Sequence, residues 1–156
     1  MRVIAIDPGY GRCGVAIMEK ESGRENVLYS ACIETPSSDS FGERLQTVVE
    51  ECERLMKTHA PGALALEQLY FNTNQKTVMH VAEVRGALIY IAGQNGLKVF
   101  EYTPGQVKAA TTGWGKADKK AVAQMIRTLL KIEKTIHHDD EYDALAIGIT
   151  HLACAR

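Results

Sequence analysis

Two short apolar runs along the chain each end on a carboxylate. Residues 3–6 precede Asp7, and residues 63–66 precede Glu67. A short continuous apolar run is typical of a strand that is buried on both faces of a sheet. The Pro-Gly pair after Asp7 predicts an immediate turn, because proline cannot donate to a sheet ladder and glycine tolerates a positive φ. The pattern therefore predicts two buried strands, each with an acid held at its end.

The remaining pattern predicts three more strands and several helices. The further strands are predicted at residues 14–20, 26–34 and 97–101, and the helices at 41–58, 75–93, 103–110, after Asp118, and 140–153. A polar cluster at residues 21–24 predicts a hairpin turn. This order predicts one α/β domain over residues 1–156, with a five-stranded mixed sheet of three antiparallel hairpin strands and two parallel strands, flanked by helices.

Three helical segments carry more specific expectations. Residues 75–93 are apolar on more than one face, so this helix is expected to be central or shared with a partner subunit. Thr103 and Asp118 are expected to be N-caps, and residues 111–116 between these two helices are expected to form a flexible loop. The predicted buried face of the helix after Asp118 consists of Val122, Met125, Ile126, Leu129 and Leu130.

Composition narrows the function less than the motifs do. No run approaches the roughly 18 apolar residues of a membrane span, and the first residues lack a secretory layout, so a cytoplasmic protein without a membrane is expected. The four cysteines form no C-x-x-C pair and are expected to be reduced. A net charge of −1 does not by itself predict a polyanionic partner. Nucleic acid would have to bind to a local basic patch.

Four carboxylates carry the predicted chemistry. Asp7 and Glu67 would share one edge if their strands are adjacent and parallel, and Asp140 and Asp143, three residues apart, share one face of a helix. Clustered acids repel each other unless cations lie between them, and hard oxygen ligands favour Mg²⁺ or Mn²⁺. Two such ions about 3.5–4 Å apart can activate water and stabilise a phosphodiester leaving group. The alternatives are a turn cap for Asp7 and simple dipole complementarity for the two helix acids.

A series of short motifs resembles the RuvC family of bacterial Holliday junction resolvases. Any one motif is weak, but together they follow the family's order over nearly the whole chain. They are Asp7-Pro8-Gly9, Glu67-Gln68, Val84-Arg85-Gly86, Phe100-Glu101-Tyr102, Gln106-Val107-Lys108, and residues 113–119, 125–131 and 143–151.

The resemblance implies an RNase H-like fold and a homodimer that cuts opposed strands of a four-way DNA junction. It also implies a branch-migration helicase complex of the RuvA/RuvB type as partner. Asp7, Glu67, Asp140 and Asp143 would be the catalytic and metal-binding acids, holding two Mg²⁺ ions per subunit, with Mn²⁺ able to substitute. The expected DNA-binding residues are Lys76, Lys108, Lys116, Lys119, Lys120, Arg85 and Tyr70.

Several assignments within this resemblance have alternatives. Tyr70 stands where the family often has a Phe that contacts bases, but a ring at this position can also pack in the core. Relatives often carry Lys where this chain has Thr73. Asp139 is the alternative to Asp140. His137 and His138 can transfer protons or simply cap a loop.

Lys119 and Lys120 lie at the start of a helix, where the dipole disfavours positive charge, so a bound anion explains them better than a solvated surface does.

Three other functions remain as alternatives to a junction-cutting enzyme. An RNase H-like enzyme acting on RNA would share the acids but differ in substrate. An actin-like kinase also has an Asp-x-Gly after its first strand, but needs two lobes, and 156 residues supply one. A non-catalytic junction-binding module would have little use for four mutually repelling acids.

Overall fold

One mixed sheet of five strands runs through the computed structural model, which describes residues 1–69 and 75–154, with side chains from residue 77 in the second range. The strands are β1 Arg2–Asp7, β2 Arg12–Glu21, β3 Arg24–Glu34, β4 Ala63–Glu67 and β5 Lys98–Tyr102. Their order is β3-β2-β1-β4-β5. The β1–β2 and β2–β3 pairs are antiparallel, and the β1–β4 and β4–β5 pairs are parallel. The predicted mixed sheet is confirmed.

Helices cover both faces of this sheet. They are α1 Phe41–His59, α2 Gln75–Gln94, α3 Pro104–Thr112, α4 Lys119–Leu130 and α5 Asp139–Cys154. Side chains alternate along β1, so Val3 and Ala5 join the core with α3, α4 and α5, whereas Ile4 and Ile6 join the core with α1 and α2. Because all four residues are fully buried, β1 is the two-sided central strand that its apolar run predicts.

Local sequence accounts for several element boundaries. Thr103 and Asp118 are the N-caps of α3 and α4, as predicted, and each side chain accepts a bond from a backbone N–H three residues on. The hairpin between β2 and β3 turns through Ser22 and Gly23, with φ values of 52° and 78°. Two successive residues with positive φ fit the right-handed twist of the flanking strands.

Two predictions about α3 and α4 are only partly right. The helix α3 continues to Thr112, so the predicted loop at 111–116 is two residues shorter at its start. Met125 and Leu129 are 37% and 49% exposed, whereas Val122 and Ile126 are buried. The core contacts only a narrow stripe of α4, so apolar residues beside that stripe stay in solvent.

Two glycines allow α5 to approach the sheet closely. A Cβ at Gly14 would lie 1.8 Å from the carbonyl oxygen of Asp140, and one at Gly148 would lie 2.4 Å from the sulfur of Met18. The first contact is with backbone, so nothing at that point can rotate away. Within the described residues, no helix has the length and apolar character needed to cross a membrane.

Candidate functional site

Asp7 and Glu67 lie side by side at the ends of adjacent parallel strands. The β1–β4 register ends with Ile6 opposite Leu66, so the next residue of each strand is the acid. Strand periodicity places both carboxylates on the face that α5 covers, because Val3, Ala5, Ala63 and Ala65 belong to that core. The two apolar runs thus deliver two acids to one edge and one face of the sheet.

These acids open onto a cleft of about 250 Å³ between the sheet, α3, α4 and α5. Its charged lining residues are Asp7, Glu67, Asp143, Lys108 and Lys119. The lysines come from two different helices, α3 and α4, and Asp143 lies in the second turn of α5. Three of the four predicted acids and two of the predicted lysines therefore share one cleft.

The fourth acid, Asp140, lies beside the cleft rather than in its lining. Its position follows from Gly14, which pairs with Asp7 across β1 and β2 and lies against the Asp140 backbone. The Asp140 carboxylate lies 3.3 Å from the Nε of Arg12. His138 contacts the same guanidinium, with its Nδ1 3.2 Å from Arg12 Nη1. Sequence reasoning missed Arg12, because its partners come from the other end of the chain.

Burial and mutual repulsion together disfavour ionisation of the acids. The pKa of Asp7 is raised from 3.8 to about 8, mainly by burial and then by the negative charges of Asp143, Asp140 and Glu67. Burial also raises the pKa of Glu67 and that of Asp143, in each case with help from a neighbouring carboxylate. The Asp140 charge therefore acts on Asp7 even though its side chain lies outside the cleft lining.

Lys119 partly balances this negative charge. Its Nζ donates to Asp143 Oδ2 at 3.2 Å. Desolvation acts to lower the pKa of Lys119, but Asp143 outweighs it and the pKa is raised. The positive charge of Lys108 acts to lower the pKa of Glu67, against the larger effect of burial.

The other predicted DNA-binding residues have different positions. Lys116 and Lys120 are exposed and lie outside the cleft lining. Tyr70 and Thr73 lie outside the described residues, as does the side chain of Lys76. The DNA contacts assigned to all these residues stay predictions.

Arg85 is buried beneath the site. Its Nη1 donates to the main-chain oxygen of Glu67 at 2.5 Å, and its Nη2 forms an ion pair with Glu101 on β5. The guanidinium thus joins α2 to the ends of β4 and β5. It contacts β4 at Glu67, the residue whose carboxylate lines the cleft. A DNA contact by Arg85 also stays a prediction, and the structure adds a contact that holds Glu67.

Glu141 holds the first turn of α5 against β3. Its side chain is buried, accepts a hydrogen bond from Ser30 Oγ at 2.6 Å, and lies 2.5 Å from Lys134 Nζ. Lys134 also donates to the main-chain oxygen of Ser30. This network fixes the start of α5 on β3, next to Asp140. The sequence alone showed Glu141 only as a further acid beside the predicted pair Asp140 and Asp143.

The donor set suits a hard divalent cation. Its oxygens are all carboxylate oxygens. Burial is the main cause of the raised pKa of Asp7, and a cation between the acids would relieve the repulsion that raises it further. Among the side chains of residues 1–69 and 77–154, no group of three or more His, Cys, Asp or Glu lies in an arrangement that could hold a metal ion as it stands. Lys119 and Arg12 instead lie against Asp143 and Asp140.

Comparison with known proteins identifies matches over nearly the whole chain. The family model for crossover junction endodeoxyribonuclease RuvC matches residues 3–151. The enzyme of that name from Alkaliphilus oremlandii is 41% identical over 151 residues, covering 97% of this chain and 92% of the relative. The one from Thermosipho melanesiensis is 41% identical over 148 residues, covering 95% and 94%.

A solved structure shows the same fold. Thermus thermophilus RuvC in complex with a Holliday junction substrate aligns with a TM-score of 0.89 and 30% identity, over 97% of this chain and 92% of that one. This match confirms the predicted arrangement of mixed sheet and flanking helices.

Proposed function

The chain belongs to the RuvC family of crossover junction endodeoxyribonucleases, and from this premise we propose that it resolves four-way DNA junctions. The reaction is phosphodiester hydrolysis that leaves 5′-phosphate and 3′-hydroxyl ends, in recombination and repair. The observation that carries the proposal is the cleft in which Asp7, Glu67 and Asp143 face Lys108 and Lys119. Acids that bind cations and lysines that bind phosphate are both needed to hold and cut a phosphodiester.

Metal dependence is general for this family. We propose two Mg²⁺ ions per subunit, replaceable by Mn²⁺, held by Asp7, Glu67, Asp143 and Asp140. When bound, such ions lower the pKa of water and stabilise the leaving oxygen.

Charged side chains of the protein supply the remaining roles. Lys119, which lies against Asp143, would offset the charge that grows on the phosphate. Arg12 would hold the Asp140 carboxylate beside the cleft, and Arg85 keeps Glu67 in place.

We also propose a homodimer formed through α2. Met79 and Tyr90 are 63% and 67% exposed, and the exposed residues between them are Ala82, Glu83 and Gly86. Small residues flanked by large apolar ones let two helices approach closely while burying the large side chains. A two-fold dimer would present two clefts to a junction that itself has two-fold symmetry. A branch-migration helicase complex of the RuvA/RuvB type is proposed as a further partner on the family premise alone.

The test is cleavage of a labelled four-way junction, beside linear duplex and an RNA–DNA hybrid, with Mg²⁺ and with EDTA. The expected result is a pair of symmetric nicks in the junction only, abolished by EDTA. Asp7→Asn should bind the junction without cutting it. Glu50→Gln is the matched control, because Glu50 is an exposed acid on α1, across the sheet from the cleft.

Two results would contradict the proposal. Cutting of the hybrid but not of the junction would favour an enzyme that acts on RNA. Binding of the junction without cutting, by the unsubstituted protein with Mg²⁺ or Mn²⁺, would favour a binding module.

A further inference from the structure

Trp114 is the one tryptophan of the chain, and its side chain lies largely in solvent. It is 64% exposed and belongs to the short connection between α3 and α4. In the part of the chain that the structure describes, no aromatic ring or cation stacks on the indole. Burying a large aromatic side chain is energetically favourable. A ligand that covered the Trp114 indole would therefore gain binding free energy.

The backbone that carries the indole is held at several points. Gly113 ends α3 with φ of 79°, and its N–H donates to Ala109 O at 2.8 Å. The Trp114 N–H donates to Thr112 Oγ1 at 3.2 Å, and its carbonyl accepts from the Ala117 N–H at 3.1 Å. The turn therefore presents the ring from a fixed backbone.

The same turn also packs against the start of α3. A Cβ at Gly115 would lie 3.3 Å from the carbonyl oxygen of Gly105. The ring is uncovered although its main chain is anchored on two sides.

The turn joins the two helices that supply the cleft lysines. Lys108 is in α3 and Lys119 begins α4, and both line the cleft with the acids. Lys116, two residues after Trp114, is exposed. Lys108 and Trp114 are six residues apart in the sequence, with the end of α3 between them.

We propose that Trp114 is a stacking platform for an unstacked nucleobase of the strand that is cut, close to the scissile phosphate. The inference rests on the proposed function and deepens it. The uncovered indole supplies a face for an unstacked base, and the lysines on both sides of the turn supply positive charge for the phosphates that flank it. An anionic, base-bearing strand matches this combination better than an apolar protein surface does.

A single tryptophan allows a direct test by fluorescence. The Asp7→Asn protein is titrated with an intact four-way junction, and binding is followed in parallel by anisotropy of labelled DNA. Tryptophan emission should be quenched over the same concentration range in which the junction binds. A fluorescent adenine analogue placed at successive positions of the cut strand should respond most at one position close to the cut.

Substitutions give an independent readout. Trp114→Ala in the same background should weaken junction binding about 5- to 150-fold, the equivalent of ~1–3 kcal/mol for one stacked base. Trp114→Phe should lose less, because it keeps an aromatic face. Leu129→Ala is the matched control, since it also removes an exposed apolar side chain, on α4, and should leave affinity unchanged. Thermal unfolding of each variant should stay close to that of the parent.

The outcomes separate this inference from the function on which it rests. If the junction binds but emission is unchanged and Trp114→Ala binds equally well, the stacking inference is wrong and the resolvase proposal stands. If emission changes with protein concentration in the absence of DNA, a second copy of the chain covers the ring, and the inference is again wrong. If the labelled junction binds to none of the proteins, the resolvase proposal itself fails.

Discussion

Gly14→Ala tests whether close approach of α5 to β2 builds the active site. The added Cβ would lie 1.8 Å from the Asp140 carbonyl oxygen and 2.4 Å from its carbonyl carbon. Ordinary contact begins at 3.4 Å, so the first turn of α5 and β2 must separate by about 1.6 Å. Both obstructing atoms belong to the backbone, so no side-chain rotation can relieve the overlap.

This displacement has two expected consequences. Overpacking of this kind costs ~1–3 kcal/mol in the free energy of unfolding. The shift also carries Asp140 and Asp143 away from Asp7, which lies opposite Gly14 in the sheet. Misplacement of reacting groups by about 1 Å can cost about 100-fold in rate. We therefore expect junction nicking to fall by roughly 100-fold or more, while junction binding changes much less.

The assay combines urea unfolding, single-turnover nicking and junction binding. Gly42→Ala in α1 is the matched control, because nothing lies within 4 Å of its added Cβ. That variant should keep full nicking activity and either leave the free energy of unfolding unchanged or raise it by up to ~1 kcal/mol. If Gly14→Ala nicks and unfolds like the parent, the close approach does not position the acids, and the account of the site given above is wrong.

Three further predictions follow from the site. In EDTA, the free energy of unfolding should fall as pH rises from about 4 towards 8, because the pKa of Asp7 is raised to about 8 from 3.8 and its ionisation is disfavoured only in the folded state. Asp7→Asn should flatten this decline in urea unfolding at pH 5 and pH 9, and an unchanged decline would contradict the assigned pKa. Lys119→Met should lower single-turnover nicking by about 100- to 1000-fold with little loss of junction binding, as expected for a group that stabilises charge on the reacting phosphate; equal losses of both would instead indicate a simple binding contact. Arg85→Met should lower the free energy of unfolding by ~1–3 kcal/mol and slow nicking, because it removes the donor to Glu67 and the partner of Glu101. Loss of junction affinity at unchanged stability would make Arg85 a DNA contact instead.

The elements that local pattern controls could be predicted from the sequence. Strand burial depends on runs of apolar residues, and those before Asp7 and Glu67 correctly placed two acids at the ends of β1 and β4. Caps depend on bonds between residues three apart, so Thr103 and Asp118 were also predicted correctly. The three-residue spacing of Asp140 and Asp143 predicted that they share a helix face, because residues three apart are neighbours on the surface of a helix.

Tertiary structure alone decided which side chains meet across the fold. Ser30 and Glu141 bond across 111 positions of sequence, and nothing near either residue predicts the other. The same holds for the pairing of Arg12 with Asp140 and of Arg85 with Glu101.

Exposure was likewise decided by packing. Met125 and Leu129 have the spacing of a buried face, yet they are exposed because the core contacts only a narrow stripe of α4. A periodic pattern fixes which residues share a face of a helix. How much of that face is covered depends on neighbours that are distant in sequence, and only the packed structure supplies them.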